Sequence, residues 1–189
     1  LFFWLFYRYK VEWEFDPATV GTCIIAPNHA SYLDPPLISA SWPAPLYFFA
    51  GSHLFKKRLL RALLSRLHTQ PVVKGKELAT VRSAAQLLKS GKSIVLFPEG
   101  TRSYDGQLQE LRTGVALLST LSGCPIIPCF IQGTQKAWPK EQHYPTLFGN
   151  TTTCRFGKPI YPKSFTSKEE LTQALQMELE RLAKLCDKQ

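Results

Sequence analysis

No Cys-x-x-Cys pair occurs in this 189-residue chain, and none of its five cysteines, Cys23, Cys124, Cys129, Cys154 and Cys186, stands at zinc-ligand spacing from a histidine. A metal site is therefore not expected. The thiols are read as reduced, and Cys23 in an apolar run and Cys186 on the apolar side of a predicted helix as small buried hydrophobes. No apolar run reaches the roughly 20 residues that a membrane-spanning helix requires. The aromatic residues 1–7 are read equally as the end of an upstream membrane anchor or as a lead-in packed on the core. The chain opens on Leu rather than Met, and an upstream segment is expected. Repeats, low-complexity tracts and a G-x-S-x-G nucleophile elbow are also missing, which excludes solenoids and the usual serine-hydrolase turn. Acidic residues are scarce, 14 against 23 Lys and Arg, for a formal charge of +9. That surplus favours phosphate-bearing partners or an anionic membrane surface. Basic and aromatic residues are not interleaved as a base-stacking platform requires, so nucleic acid is not expected as a partner.

A hydrophobic content of 44% over 189 residues supports one buried core, and residues 1–189 are read as a single domain. Over residues 7–15 apolar and charged residues alternate: Tyr7, Tyr9, Val11, Trp13 and Phe15 against Arg8, Lys10, Glu12 and Glu14. This predicts a half-buried strand. Residues 22–27, 46–49, 93–97 and 126–131 are short continuous apolar runs, suited to strands covered on both faces. Between them, residues 54–67, 78–88 (stopped by Gly91) and 115–121 carry helical spacing. Ser167 and Glu170 form a capping box before Leu171, Leu175, Leu179 and Leu182, predicting a terminal amphipathic helix. Residues 138–149 read as an exposed excursion. The alternation predicts an α/β fold, a largely buried mixed sheet flanked by helices.

Two segments carry chemistry, each directly after a predicted buried strand. The first is Asn28-His29-Ala30-Ser31-Tyr32-Leu33-Asp34-Pro35. Asp34 before Pro35 reads as a helix N-cap, which leaves His29 in the preceding turn. On one continuous helix, residues five apart point about 140° from each other, whereas a turn followed by a helix start lets Asp34 reach the imidazole. The pair supplies a base and its orienter without a nucleophile. The second segment, Phe97-Pro98-Glu99-Gly100-Thr101-Arg102-Ser103, reads as a phosphate cradle. Gly100 permits close backbone approach, Thr101 offers a hydroxyl, and Arg102 can grip phosphate oxygens bidentately. A carboxylate repels phosphate, so Glu99 is expected to orient Arg102 or a backbone amide, or to contact a substrate hydroxyl. Each pattern taken alone also fits a bland reading, a helix cap and a turn with a surface arginine.

Together these segments resemble the lysophosphatidic acid (1-acyl-glycerol-3-phosphate) acyltransferase family, whose marks NHxSxxD and FPEGTRS are both complete here and in order. The similarity covers roughly residues 11–134 and includes Leu111-Arg112-Thr113-Gly114, akin to a basic-x-Gly element, and Pro125-Ile126-Ile127-Pro128. One departure is Lys74 after Pro71-Val72-Val73, where the family usually carries arginine; a lysine is a point charge in place of a planar fork. The resemblance implies that His29 deprotonates the acceptor hydroxyl, that Asp34 orients His29, and that Glu99, Gly100, Thr101, Arg102 and Lys74, with Asn28 and Ser31, surround the substrate. It implies no cofactor beyond the acyl donor, acyl-CoA or acyl-carrier protein. The partners are that donor, a phosphate-bearing lysolipid and a membrane surface, with the catalytic domain on the cytoplasmic side. The alternative readings are acylation of glycerol-3-phosphate or another lysophospholipid, a serine hydrolase using Ser31 or Ser103, and a non-catalytic anionic-lipid-binding domain.

Overall fold

The computed structural model describes residues 7–56, 58–72, 75, 77–139, 142, 144–146, 148 and 151–186. Strands β1 (Arg8–Trp13) and β2 (Ile24–Pro27) precede helix α1 (Asp34–Ser41); β3 (Tyr47–Gly51) leads through a 3-10 turn at Ser52–Lys56 into α2 (Arg58–Arg66). Then follow β4 (Thr69–Val72), α3 (Glu77–Lys89), β5 (Ile94–Val95), α4 (Gly114–Ser122), β6 (Ile126–Gln132), the single turn α5 (Thr134–Ala137), β7 (Thr151–Phe156) and α6 (Lys168–Cys186). The seven strands form one sheet in the order β1-β7-β6-β2-β5-β3-β4. The pairs from β6 to β4 are all parallel, β7 runs antiparallel to β6, and β1 is parallel to β7. The sheet is thus mixed and flanked by helices, as the sequence pattern predicts.

Alternation along the central strands explains why apolar runs were needed there. Successive side chains point to opposite faces, so Ile24, Ile94 and Ile126 enter one core with Leu87, Leu88, Ala116, Leu171, Leu175, Leu179 and Leu182 of the helices. Their chain neighbours Ile25, Val95 and Ile127 enter a second core with Leu37, Ile38, Trp42 and Phe156. These isoleucines are fully buried, each contributing roughly 1.5–3 kcal/mol relative to exposure. At the sheet edge, Trp13 of β1 stacks on Phe156 of β7 with centroids 4.1 Å apart, consistent with the half-buried strand expected there.

Several elements depart from the sequence reading. The helix expected over residues 54–67 begins later, because residues 52–56 form the 3-10 turn. Residues 93–97 supply only a two-residue ladder, although Leu96 N still donates to Ile25 O at 3.0 Å; Pro98 then has no N–H with which to extend it. β4 and β7 were not anticipated as strands. β4 contains Pro71, which an edge strand tolerates. β7 is Thr-Thr-Thr-Cys-Arg-Phe, polar by composition yet buried from Thr152 onward, and its Arg155 is paired with Glu12 of β1. In the terminal capping box Ser167 Oγ accepts from Glu170 N at 3.1 Å, but Glu170 returns to Thr166 N, at 2.9 Å, rather than to Ser167. Most of residues 1–7, and part of the excursion at 138–149, lie outside the described residues.

Five parallel strands place the segments that follow β2, β3, β4, β5 and β6 at one end of the sheet. Both sequence motifs are among these segments, and β2 and β5 are neighbours, with Ile24 opposite Ile94 and Ile25 opposite Val95. Ligand sites in parallel sheets gather at this carboxyl end.

Candidate active site

His29 lies in the turn between β2 and α1. Its Nδ1 is 2.8 Å from Asp34 Oδ2, and the same oxygen accepts the backbone N–H groups of Ala30 and Ser31, each at 2.8 Å. Asp34 Oδ1 accepts the Thr134 hydroxyl at 2.6 Å. Four donors thus satisfy a carboxylate that is 1% exposed, as burial of a charge demands. The N-cap expectation is corrected by one residue: Leu33 is the cap and Asp34 the first helical residue. The Asp34 carboxylate folds back over the turn, where the amides and the imidazole compete successfully for it. With a carboxylate accepting at Nδ1, the neutral form of the imidazole carries its proton there and keeps its lone pair at Nε2. Phe97, at the end of the adjacent strand, stacks on the imidazole with centroids 3.8 Å apart and planes at 23°, restricting ring rotation.

The second motif is bound to the first through backbone. Ser103 N donates to His29 O at 2.8 Å, and His29 N donates to Glu99 Oε1 at 2.6 Å. Glu99 Oε2 accepts Gln109 N at 3.0 Å. Of the roles expected for Glu99, orienting Arg102, holding a backbone amide or contacting a substrate hydroxyl, the geometry matches the second: at 3% exposure with both oxygens on amides it is a strut between loops. Burial pushes its carboxyl up to about 7, against the opposing effect of those two amides. Gly100 adopts φ +73°, a backbone conformation that favours glycine, and a Cβ there would lie 3.0 Å from Arg112 Nε, so that side chain would have to yield. Gly100 and Thr101 are exposed and Arg102 is half-buried. Arg102 Cζ sits 3.6 Å from the centroid of Tyr32.

Two further expected contacts are corrected. Asn28 is 2% exposed, and its amide binds β6 at both atoms: Nδ2 donates to Ile131 O at 3.0 Å and Oδ1 accepts Ile131 N at 2.7 Å. Ser31 is fully buried; its hydroxyl donates to Trp138 O at 2.8 Å and accepts Leu33 N at 3.1 Å. Neither side chain is presented to substrate, and Ser31 is not placed as a hydrolase nucleophile. Ser103 is buried at 3% exposure. Lys74 lies outside the described residues, as does Lys76. The sequence reading missed Thr134, one hundred residues from Asp34, and Phe97 as the ring that covers His29. Arg112 had a signal in the basic-x-Gly element, and the structure lays its guanidinium beside Gly100. Among the described residues no group of three or more His, Cys, Asp or Glu could hold a metal ion.

The arrangement provides a base with a fixed tautomer next to a cationic, glycine-containing loop, the parts needed to activate a hydroxyl on a molecule held by its anionic group. The profile of the Acyltransferase family matches residues 10–132, which include both motifs. A 1-acyl-sn-glycerol-3-phosphate acyltransferase of Limnanthes alba is 30% identical over 146 residues, covering 74% of this chain and 51% of the relative. A chloroplastic enzyme of that name from Brassica napus is 27% identical, over 77% of this chain and 42% of its own length. The chain therefore spans about half the length of these curated relatives. For the Bacillus subtilis protein of that name, 26% identical, the coverage is 90% and 85%. The crystal structure of the 1-acyl-sn-glycerophosphate (LPA) acyltransferase PlsC from Thermotoga maritima superposes with a TM-score of 0.79 at 28% identity, covering 97% of this chain and 74% of that one. With the profile matching well over half of its residues, and both motifs joined at one end of the sheet, the chain belongs to the Acyltransferase family.

Proposed function

We propose that this protein transfers a fatty acyl group from a thioester, acyl-CoA or acyl-carrier protein, to the free hydroxyl of 1-acyl-sn-glycerol-3-phosphate, making phosphatidic acid. The observation that carries the reading is the His29–Asp34 pair, 2.8 Å apart, bonded through His29 O to the loop that bears Arg102. The relatives' names supply the substrate class. In the reaction, Nε2 of His29 takes the proton of the acceptor hydroxyl as its oxygen attacks the thioester carbonyl, and Asp34 stabilises the imidazolium that forms. Collapse of the tetrahedral intermediate breaks the carbon–sulfur bond, and the imidazolium returns the proton to the departing thiolate. No acyl-enzyme intervenes. Arg102, Thr101 and the backbone at Gly100 hold the acceptor phosphate, so that binding energy remote from the reacting atoms positions the hydroxyl.

The setting is a membrane surface, with the catalytic domain on the cytoplasmic side. The net charge of +9 supports attraction to anionic lipid, and five cysteines held as thiols rather than disulfides fit a reducing compartment. Among the described residues no helix is long and apolar enough to cross a membrane.

The test is incubation with labelled acyl thioesters and a panel of acceptors: 1-acyl-sn-glycerol-3-phosphate, glycerol-3-phosphate and lysophospholipids with larger headgroups, read by product mass spectrometry. Phosphatidic acid is the expected principal product, and His29→Ala is expected to abolish it while the protein remains folded. Free fatty acid released without an acceptor would point to hydrolysis, and unchanged turnover in His29→Ala would defeat the mechanism.

A further inference from the structure

We infer that Tyr32, the unspecified residue between Ser31 and Leu33 in the first motif, is the positioning residue for the Arg102 guanidinium. The inference rests on the reading of Arg102 as the phosphate clamp and adds what aims it. Arg102 Cζ lies 3.6 Å from the centre of the Tyr32 ring, close contact between a cation and the negative face of an aromatic π-system. A guanidinium resting on a ring by its flat face keeps its N–H groups in the plane of the fork. That plane is the direction in which a phosphate is gripped by two parallel bonds. The aromatic ring therefore restricts the rotation of a long side chain without competing for the donors that a phosphate needs.

Tyr32 is itself braced. Among the described residues its ring also meets that of Trp138, with centroids 5.3 Å apart and planes at 58°. Trp138 is fixed to the same turn, because its carbonyl accepts the Ser31 hydroxyl at 2.8 Å and its N–H donates to Thr134 O at 2.9 Å. Thr134 in turn holds Asp34 by its hydroxyl. One turn thus supplies the base at His29, the orienter at Asp34 and the ring on which the clamp lies at Tyr32. The separation between proton acceptor and anion clamp is then set by the three residues from His29 to Tyr32 together with the backbone bond between Ser103 and His29. Binding energy at the phosphate can place a hydroxyl against His29 only if that separation is fixed.

The test is steady-state kinetics on the full chain with the acceptor and donor varied separately. Tyr32→Leu is expected to raise the acceptor KM about tenfold, with donor KM and kcat at saturating acceptor changed less than about threefold. Tyr32→Phe should keep the acceptor KM within about twofold, because the ring face remains. Phenylalanines of increasing fluorine content at position 32 keep the shape while draining the ring's negative face, and acceptor KM should climb with each fluorine; this series decides the matter even if Tyr32→Leu fails to fold. In an Arg102→Ala background Tyr32→Leu should add nothing to acceptor KM. A flat fluorine series, or additive effects of the two substitutions, would overturn the inference while leaving the phosphate clamp intact. An acceptor KM that ignores Arg102→Ala would remove the clamp itself, and the inference with it.

Discussion

The two loops that leave neighbouring strands β2 and β5 are built on opposite plans. The first, residues 28–34, is closed on itself: Asn28, Ser31 and Asp34 are each at most 2% exposed, and their polar atoms bond to backbone or to Thr134 and His29. In the second, Gly100 and Thr101 are open to solvent, while Pro98, Glu99 and Ser103 are buried. The difference follows from what each has to do. A proton acceptor works only in one orientation, so its surroundings are satisfied before substrate arrives. On the proposed reading an anion clamp must exchange water for phosphate, so the loop that carries it is left more open, with Arg102 half-buried against the Tyr32 ring.

If this contrast is right, damage to the closed loop should appear in kcat, and damage to the open one in acceptor KM. The largest effect is expected for Asp34→Asn, which replaces the acceptor that fixes the His29 tautomer: kcat should fall on the order of 10³-fold with acceptor KM little altered. A loss confined to KM in steady-state assays would break the distinction. Next is the strut between the loops. Burial holds the Glu99 carboxyl at about 7 against a model-peptide value of 4.5, so the folded protein binds that proton more tightly than the unfolded chain does. The neutral form therefore contributes stability in full below about pH 4.5, and this contribution is lost as the pH rises through about 7, a change of roughly 3 kcal/mol from this group. Denaturant titrations across that window should show the slope in the wild type and its absence in Glu99→Gln; parallel slopes would contradict the assignment. A smaller effect is expected for Thr134→Val, which takes one donor from buried Asp34. Unfolding free energy should drop by about 1–3 kcal/mol, with kcat reduced several-fold and acceptor KM unchanged. Equal losses for donor and acceptor binding would place Thr134 in the open loop's function instead.

The parts of the site that were legible in the sequence are those whose chemistry is local. His29 and Asp34 share one turn, and Asp34 before Pro35 was enough to bring the carboxylate back to the ring, although the cap itself fell to Leu33. The fate of Glu99 was only narrowed to a few roles, because its partners, His29 N and Gln109 N, belong to different loops. Asn28 and Ser31 were misread for the same reason: side chains that look available in a motif are consumed by Ile131 and Trp138, more than a hundred residues away. In the sheet, Ile24–Pro27 and Ile126–Gln132 announced themselves as apolar runs. β7 did not, since three threonines and an arginine read as polar until Glu12 on β1 answers Arg155.

The sequence by itself determined the α/β class, through apolar runs too short for helices placed between segments of helical spacing, and it determined the pairing of a base with its carboxylate, through a turn spanning six residues. The tertiary structure alone decided that the two motifs meet, because Ile24 lies beside Ile94 only when β2 and β5 pair in parallel. It also decided which polar side chains stay open to solvent and which are spent on the fold. Hydrogen bonds between distant segments leave no periodic trace in a chain, since their partners are set by strand order rather than by spacing.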